Sequence, residues 1–232
     1  MSNRDSDDNE LSPELLLRAY TIGVFPMAES REAPTISWID PRNRGILPLD
    51  GVHVPRSLKK TLRKNRFTVR CNTAFADVVE ECARRTRGRQ ETWINDQIER
   101  AVNDLHQMGF AFSIESWDED GLAGGLYGIA LAGVFFGESM FSRRTDASKV
   151  ALMHLIARLR LGRFKMLDTQ FITDHLTRFG AIEIPAREFQ QKLDSALAAH
   201  GHLAQFVDDE TVAEELERMF EESKRGPTLS PE

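Results

Sequence analysis

Residues 110–170 read FAFSIESWDEDGLAGGLYGIALAGVFFGESMFSRRTDASKVALMHLIARLRLGRFKMLDTQ, and their patterning decides the fold. Phe110–Trp117 is a short apolar and aromatic run, which predicts a strand. Asp118-Glu119-Asp120-Gly121 predicts a hairpin turn, and Leu122–Leu131 the returning strand. Gly133–Ser142 predicts a third strand. Val150, Leu152, Leu155, Ile156 and Leu159 recur at helical spacing and predict a long helix over about Ala147–Leu161. Phe164–Thr169 predicts a fourth strand, parallel to the third because a helix joins them. A meander, a long helix and a parallel strand make the layout of acetyltransferase-like (GNAT-like) folds. That is an analogy of architecture and carries no function by itself.

Outward from this stretch, Ser12-Pro13-Glu14 opens a short helix, with Ser as N-cap and Pro at the first helical position. Residues 24–50 are rich in Pro and Gly, with an extended piece at Thr35–Ile39. Ser57 is expected to cap a basic helix running to about Asn65, and Arg66–Cys71 alternates as a strand. Asn72 or Thr73 is expected to cap a helix whose apolar side is Phe75, Val78, Val79 and Cys82. Ile94, Ile98, Val102 and Leu105 predict another helix, stopped by Gly109. Downstream come a short helix at Asp174–Phe179, a strand at Ala181–Ile184 and a helix at Arg187–Ala198. A peripheral acidic helix around Val212, Leu216, Met219 and Phe220 is expected over 209–223, either shielding the basic face or folding onto the core. The fold class is therefore α/β (α+β), a mixed sheet with a small lobe packed on it. Residues 1–50 form the small N-terminal lobe with a disordered start over 1–10. Residues 51–200 form the GNAT-like catalytic domain, and 201–232 an acidic tail.

The chain has 232 residues, 41% of them apolar and 28% charged, which is globular composition. No apolar run approaches the ~20 residues of a membrane span. The polar, acidic start is neither a secretory signal nor a transit peptide. Cys71 and Cys82 make no disulfide framework and fit a reducing compartment. The six histidines show no metal-ligand spacing. No GxxxxGK[ST] loop is present, which argues against nucleotide hydrolysis. Charge is unevenly placed, with acidic ends around a basic middle. Arg56, Lys59, Lys60, Arg63, Lys64, Arg66 and Arg70 stand in one stretch without an acid. Arg84, Arg85, Arg87 and Arg89 form a second cluster in a loop. Such clusters either neutralise a polyanion or solvate a surface.

Three polar residues stand out. Glu138 lies among apolar neighbours, where a carboxylate is costly to bury unless paired. Asp168 and Gln170 end the fourth strand, two residues apart and so on one face. Adjacent strands would bring Glu138 toward both, at strand ends where many α/β sites lie. The bland alternative has Asp168 capping the next helix and Glu138 paired with an arginine. After the third strand, Ser142-Arg143-Arg144-Thr145-Asp146-Ala147-Ser148-Lys149 lacks the glycines of a pyrophosphate-cradling loop. This disfavours coenzyme A, while Arg143, Arg144 and Lys149 could still meet a phosphate.

Six motifs stand in order. They are Tyr20-x-x-Gly23-x-Phe25-Pro26-Met27, Gly124-Gly125-Leu126-Tyr127-Gly128, and Gly137-Glu138-Ser139-Met140-Phe141-Ser142. Ala147-Ser148-Lys149, Leu167-Asp168-Thr169-Gln170 and Gly180-Ala181-x-x-Ile184-Pro185 follow. Together, over about Leu11 to Leu197, they resemble the bacterial leucyl/phenylalanyl-tRNA–protein transferase family. The resemblance implies a cytoplasmic enzyme of the N-degron pathway, needing no metal or organic cofactor. Such an enzyme moves Leu or Phe, with Met as a third candidate, from aminoacyl-tRNA to the α-amine of proteins that begin with Arg or Lys. By matching position, Gln170 contacts the attacking amine, Asp168 supplies charge behind it, and Glu138 attracts the cationic acceptor residue. Leu126, Phe135, Leu152, Leu155 and Leu167 match a donor side-chain pocket. Tyr20, Met27 and Trp93 match positions near the terminal adenosine. Lys59, Lys60, Arg63, Arg84 and Arg85 become candidate tRNA-backbone contacts. A monomer is expected. The resemblance also implies that many relatives carry an extra N-terminal segment with a Gly-Gly-Asp motif before the helix opened by Ser12-Pro13, and no such motif stands before that helix in this sequence. Two other readings stay open on the residues alone: a coenzyme-A-dependent N-acetyltransferase and a non-catalytic tRNA-binding protein.

Overall fold

The computed structural model describes residues 11–86, 90–203 and 207–225. The polar start at residues 1–10, together with Arg87 and Arg89, lies outside them. Ser12 caps α1 (Pro13–Thr21), its hydroxyl accepting from Leu15 N. A hairpin follows, β1 (Phe25–Met27) against β2 (Ser37–Ile39). The remaining strands are β3 (Asn43–Leu47), β4 (Thr68–Cys71), β5 (Ala111–Asp118), β6 (Gly121–Leu131), β7 (Val134–Ser142), β8 (Met166–Gln170) and β9 (Ile182–Pro185). They form one sheet in the order β4-β5-β6-β7-β8-β3-β9. All neighbours are antiparallel except β7 and β8, which are parallel and joined by α5 (Ala147–Leu161).

Helices cover both faces. α2 (Arg56–Arg63), α5 and α8 (Asp209–Arg225) bury one apolar layer with Leu126, Phe135 and Leu167 of the sheet. α1, α3 (Phe75–Ala83), α4 (Asp96–Gln107) and α7 (Ala186–Leu197) bury the other with Tyr127, Phe136 and Met166. The four-residue α6 (Asp174–Thr177) follows β8, capped by Thr173.

Four local expectations change. β3, read from sequence inside the small lobe, is a strand of the main sheet, held between β8 and β9. α2 starts at Arg56 with Pro55 as its cap, not Ser57. Neither Asn72 nor Thr73 caps α3. Ala74 stands at the cap, and the fully buried Glu115 of β5 accepts from the two amides that precede Phe75, Thr73 N at 2.9 Å and Ala74 N at 3.1 Å. A carboxylate is favoured there because the free N–H groups and the helix dipole are positive. Last, the acidic helix is not peripheral: Val212, Leu216, Met219 and Phe220 are buried in the core layer of α5. Glu215 and Glu222 of α8 clasp Arg160 of α5. Truncating a buried aromatic costs about 3–5 kcal/mol through lost transfer energy and the cavity left behind. Urea unfolding of Phe220→Ala is therefore expected to show a loss of that size. A peripheral helix would give a loss below about 0.5 kcal/mol.

Candidate active site

The parallel pairing of β7 with β8 ends at Phe136 opposite Asp168. Beyond that point β7 pairs only with β6, and β8 only with β3. The gap between them is a fork, and each of its arms carries a bulge. On β7, Tyr127 faces Ser139 while Gly128 faces Gly137, so Glu138 is the extra residue. On β8, Gly45 faces Gln170 while Ile46 faces Asp168, so Thr169 is the extra residue. Bulges re-aim side chains that regular alternation would fix. Two glycines make room for them. A Cβ on Gly128 would sit 2.2 Å from the Phe136 oxygen, and one on Gly45 would sit 2.8 Å from the Phe171 carbonyl carbon.

Glu138 and Gln170 meet in the fork. Tyr20 Oη donates to Glu138 Oε1 at 2.7 Å, and Gln170 Nε2 donates to the same oxygen at 3.1 Å. Asp168 lies behind them, fully buried, in a bidentate pair with Arg44. Arg44 Nε donates to Oδ1 at 2.9 Å and Nη2 to Oδ2 at 2.6 Å. The third edge of the guanidinium donates to Gly23 O at 2.8 Å. Its carbon lies 4.5 Å from the ring centre of Phe25 and 4.6 Å from that of Phe189. Asp168 Oδ1 also accepts from Gln170 N at 2.9 Å. That bond helps to hold Gln170 at φ +55°, a left-handed conformation that non-glycine residues rarely adopt. Phe171 N closes a tight turn across it, donating to Thr169 O at 2.6 Å. Backbone outliers of this kind collect where function demands geometry.

Burial pushes the Glu138 carboxyl up to about 7, with the Asp168 charge adding to the rise and the Tyr20 hydroxyl and Arg44 opposing it. Burial also pushes the Asp168 carboxyl up, against the pull of Arg44. Tyr20 is raised well above its ordinary value by burial and by Glu138. The site thus holds one carboxylate locked in an ion pair and another balanced near neutrality.

Beside this network lies a cavity of about 290 Å³, near the lower end of the ~300–1,000 Å³ range of small-molecule sites. Met27, Trp93, Leu126, Leu152, Leu155 and Leu167 line it, with Glu138 and Gln170 at its polar edge. Three other candidates do not line it. Phe135 is fully buried in the core layer with α5. Tyr20 and Asp168 are fully buried and reach the cavity only through Glu138 and Gln170. Sequence reasoning missed Phe25, Tyr127, Met140, Phe171, Thr173, His175 and Leu176 in the lining, and Arg44 beneath it. Arg44 had one signal, a charged residue before glycine inside the apolar stretch Gly45-Ile46-Leu47.

The basic candidates divide. Lys59 Nζ donates to Phe220 O, and Arg63 pairs with Glu217, so α8 engages both. Lys60 is exposed on the same helix. Arg84 pairs with Glu81, and Arg85 with Glu32 and Glu91. Among the described residues no group of His, Cys, Asp and Glu could hold a metal. No described helix is long and apolar enough to cross a membrane.

Breaking a buried pair by removing one partner costs about 3–5 kcal/mol, because the other charge stays buried. Arg44→Met is expected to lose that much in thermal or urea unfolding, while Arg44→Met with Asp168→Leu recovers most of it. Equal destabilisation of the single and double variants would contradict this energetic reading.

Residues 46–194 match the family model described as leucyl/phenylalanyl-tRNA protein transferase, and residues 9–42 match the model of its N-terminal domain. The gap between the two matches, residues 43–45, falls inside β3. A leucyl/phenylalanyl-tRNA–protein transferase of Paramagnetospirillum magneticum is 57% identical over 81% of this chain and 90% of its own length. One from Afipia carboxidovorans is 51% identical over 87% and 88%, and one from Rhodospirillum rubrum 53% over 86% and 93%. Matches this close along most of its length place the chain in the leucyl/phenylalanyl-tRNA–protein transferase family.

Proposed function

We propose that this enzyme transfers Leu or Phe, with Met as a third donor, from aminoacyl-tRNA to the α-amine of proteins beginning with Arg or Lys. It acts as a monomer in the cytoplasm and marks those proteins for N-degron degradation, on a GNAT-like catalytic domain. The observation that carries this reading is the join of an apolar cavity to a carboxylate and an amide at one edge. Leu126, Leu152, Leu155 and Leu167 offer a dry seat for an apolar donor side chain. Met27 and Trp93 flank it as a platform for the terminal adenosine, tied together by Ala28 N donating to Trp93 O at 3.0 Å.

The donor is an activated ester, so holding the two reactants together supplies most of the acceleration. The amine nitrogen attacks the ester carbonyl carbon, a C–N bond forms, and the C–O bond to the ribose breaks. The amine proton passes to the leaving ribose oxygen, with the neighbouring ribose hydroxyl as relay. A neutral amide is a poor base, so Gln170 orients the amine. Asp168 acts through Gln170 and Arg44, since both of its oxygens are occupied. Glu138 Oε1 is taken by Tyr20 and Gln170. Its Oε2 is left for the cationic head of the acceptor residue. Lys60 contributes sequence-independent backbone contacts, Arg84 does so from its pair with Glu81, Arg85 in competition with Glu32 and Glu91, and Lys59 and Arg63 in competition with α8.

Radiolabelled Leu from Leu-tRNA is expected on peptides beginning with Arg or Lys and not on those beginning with Asp or Ala. Gln170→Ala is expected to lower the rate by about 100-fold or more. Labelling of Asp peptides would overturn the acceptor rule, and no labelling at all would overturn the donor reading. The pH profile tests Glu138. Its carboxyl is raised to about 7, so the ionised form that attracts Arg fills in as pH rises through that value. Acceptor kcat/KM is expected to climb there, followed by a second rise as the α-amine, at about 7.7–8.0, loses its proton. Glu138→Gln should remove the first rise and keep the second. A wild-type profile without the first rise would contradict the assignment.

A further inference from the structure

Glu81 lies on α3, among the buried apolar residues Phe75, Val78, Val79 and Cys82. It is only 8% exposed, a place where a carboxylate needs a partner. It has two. Arg143 Nε donates to Oε2 at 2.8 Å, and Arg143 Nη2 meets Oε1 at 2.5 Å. Arg84 Nη2 meets the same Oε1 at 2.7 Å. The two arginine side chains are about half exposed, at 48% and 54%. The carboxylate therefore sits below and the guanidiniums face solvent above it.

One arginine would neutralise Glu81 and tie the end of β7 to α3. A second adds nothing to that tie. It brings two guanidiniums to one carboxylate, with Glu80 of the same helix as the further charge that acts on Arg143. Arg143 directs its Nε and Nη2 into Glu81, two nitrogens of a five-donor guanidinium. Planar guanidiniums held in a fixed orientation suit phosphate oxygens.

The place fits a donor strand. β7 runs from the cavity wall at Met140 to Arg143 in three residues, so the two are at most ~10 Å apart along the chain. From Arg84 the chain leads to Trp93 on the cavity rim. We propose that Glu81 is a positioning residue that holds Arg84 and Arg143 as a guanidinium fork for a backbone phosphate of the donor tRNA, next to its 3′ end. This rests on the reading of aminoacyl-tRNA as donor.

The sign of one substitution tests it. Glu81→Gln removes a negative charge from a surface that meets a polyanion. If the arginines act only as charge, tRNA binds tighter. If their orientation matters, it binds weaker. Binding of uncharged tRNA, measured by anisotropy over a salt series, is expected to weaken about fivefold in Glu81→Gln. Arg143→Ala should weaken it too and reduce the salt slope by about one. Arg143→Lys keeps the charge but loses the planar edge, so it should weaken binding while keeping the slope. In transfer assays the Glu81→Gln effect should fall on KM for Leu-tRNA rather than on kcat. Thermal melts report folding, and if Glu81→Gln does not fold, Arg143→Lys carries the test. Unchanged or tighter binding by folded Glu81→Gln, or wild-type binding by Arg143→Lys, would overturn the fork alone. A wild-type protein that binds no tRNA would instead remove the donor reading.

Discussion

The buried pair of Arg44 and Asp168 is the interaction on which the site's geometry rests. Two charges taken out of water are tolerable only when every edge is satisfied. Here Asp168 receives both nitrogens of the guanidinium edge and the Gln170 amide, while Arg44 reaches Gly23 O and is flanked by Phe25 and Phe189. One pair thereby fixes β3 to β8, the end of α1 to the sheet, and α7 to both. It also explains why β3 is inserted beside β8, for without that strand Asp168 would lose its counter-ion.

From this anchor the rest of the site follows by geometry. The amide of Gln170 is held to Asp168, so its side chain points to Glu138 rather than following strand alternation. The β7 bulge turns Glu138 to meet it, and Tyr20 supports the carboxylate from α1. Two carboxyls in one buried space repel, and the protein separates their roles. The one beside Arg44 keeps a dedicated counter-ion, and the other is pushed up to about 7, chiefly by burial, with the Asp168 charge adding to it. A carboxyl near neutrality at the edge of an apolar cavity can take a cationic partner when one arrives and stay uncharged when none does.

Much of this architecture was legible in the residues. The meander and α5 follow from apolar runs and helical periodicity, and the two-residue spacing of Asp168 and Gln170 singled out the end of β8. Leu126, Leu152, Leu155 and Leu167, which line the cavity, were named by family resemblance and not by their own pattern, which reads equally as core. Arg44 was not legible, because its partner is 124 residues away and one charged residue in a short strand looks like surface. The bulges were invisible, since alternation in one strand says nothing about the register of its neighbour. α8 misled for a different reason. Its acidic composition reads as solvated, yet the polar face binds Arg63 and Arg160 while the apolar face enters the core.

The most direct measurement is a crystal structure with a leucyl-adenosine analogue whose ester is replaced by an amide. Asp168 should keep both oxygens on Arg44, with Gln170 within hydrogen-bond distance of the amide and the leucyl side chain enclosed by Leu126, Leu152, Leu155 and Leu167. A complex in which Asp168 leaves Arg44 and bonds the ligand itself would contradict the assignment of Asp168 as the buried anchor behind Gln170.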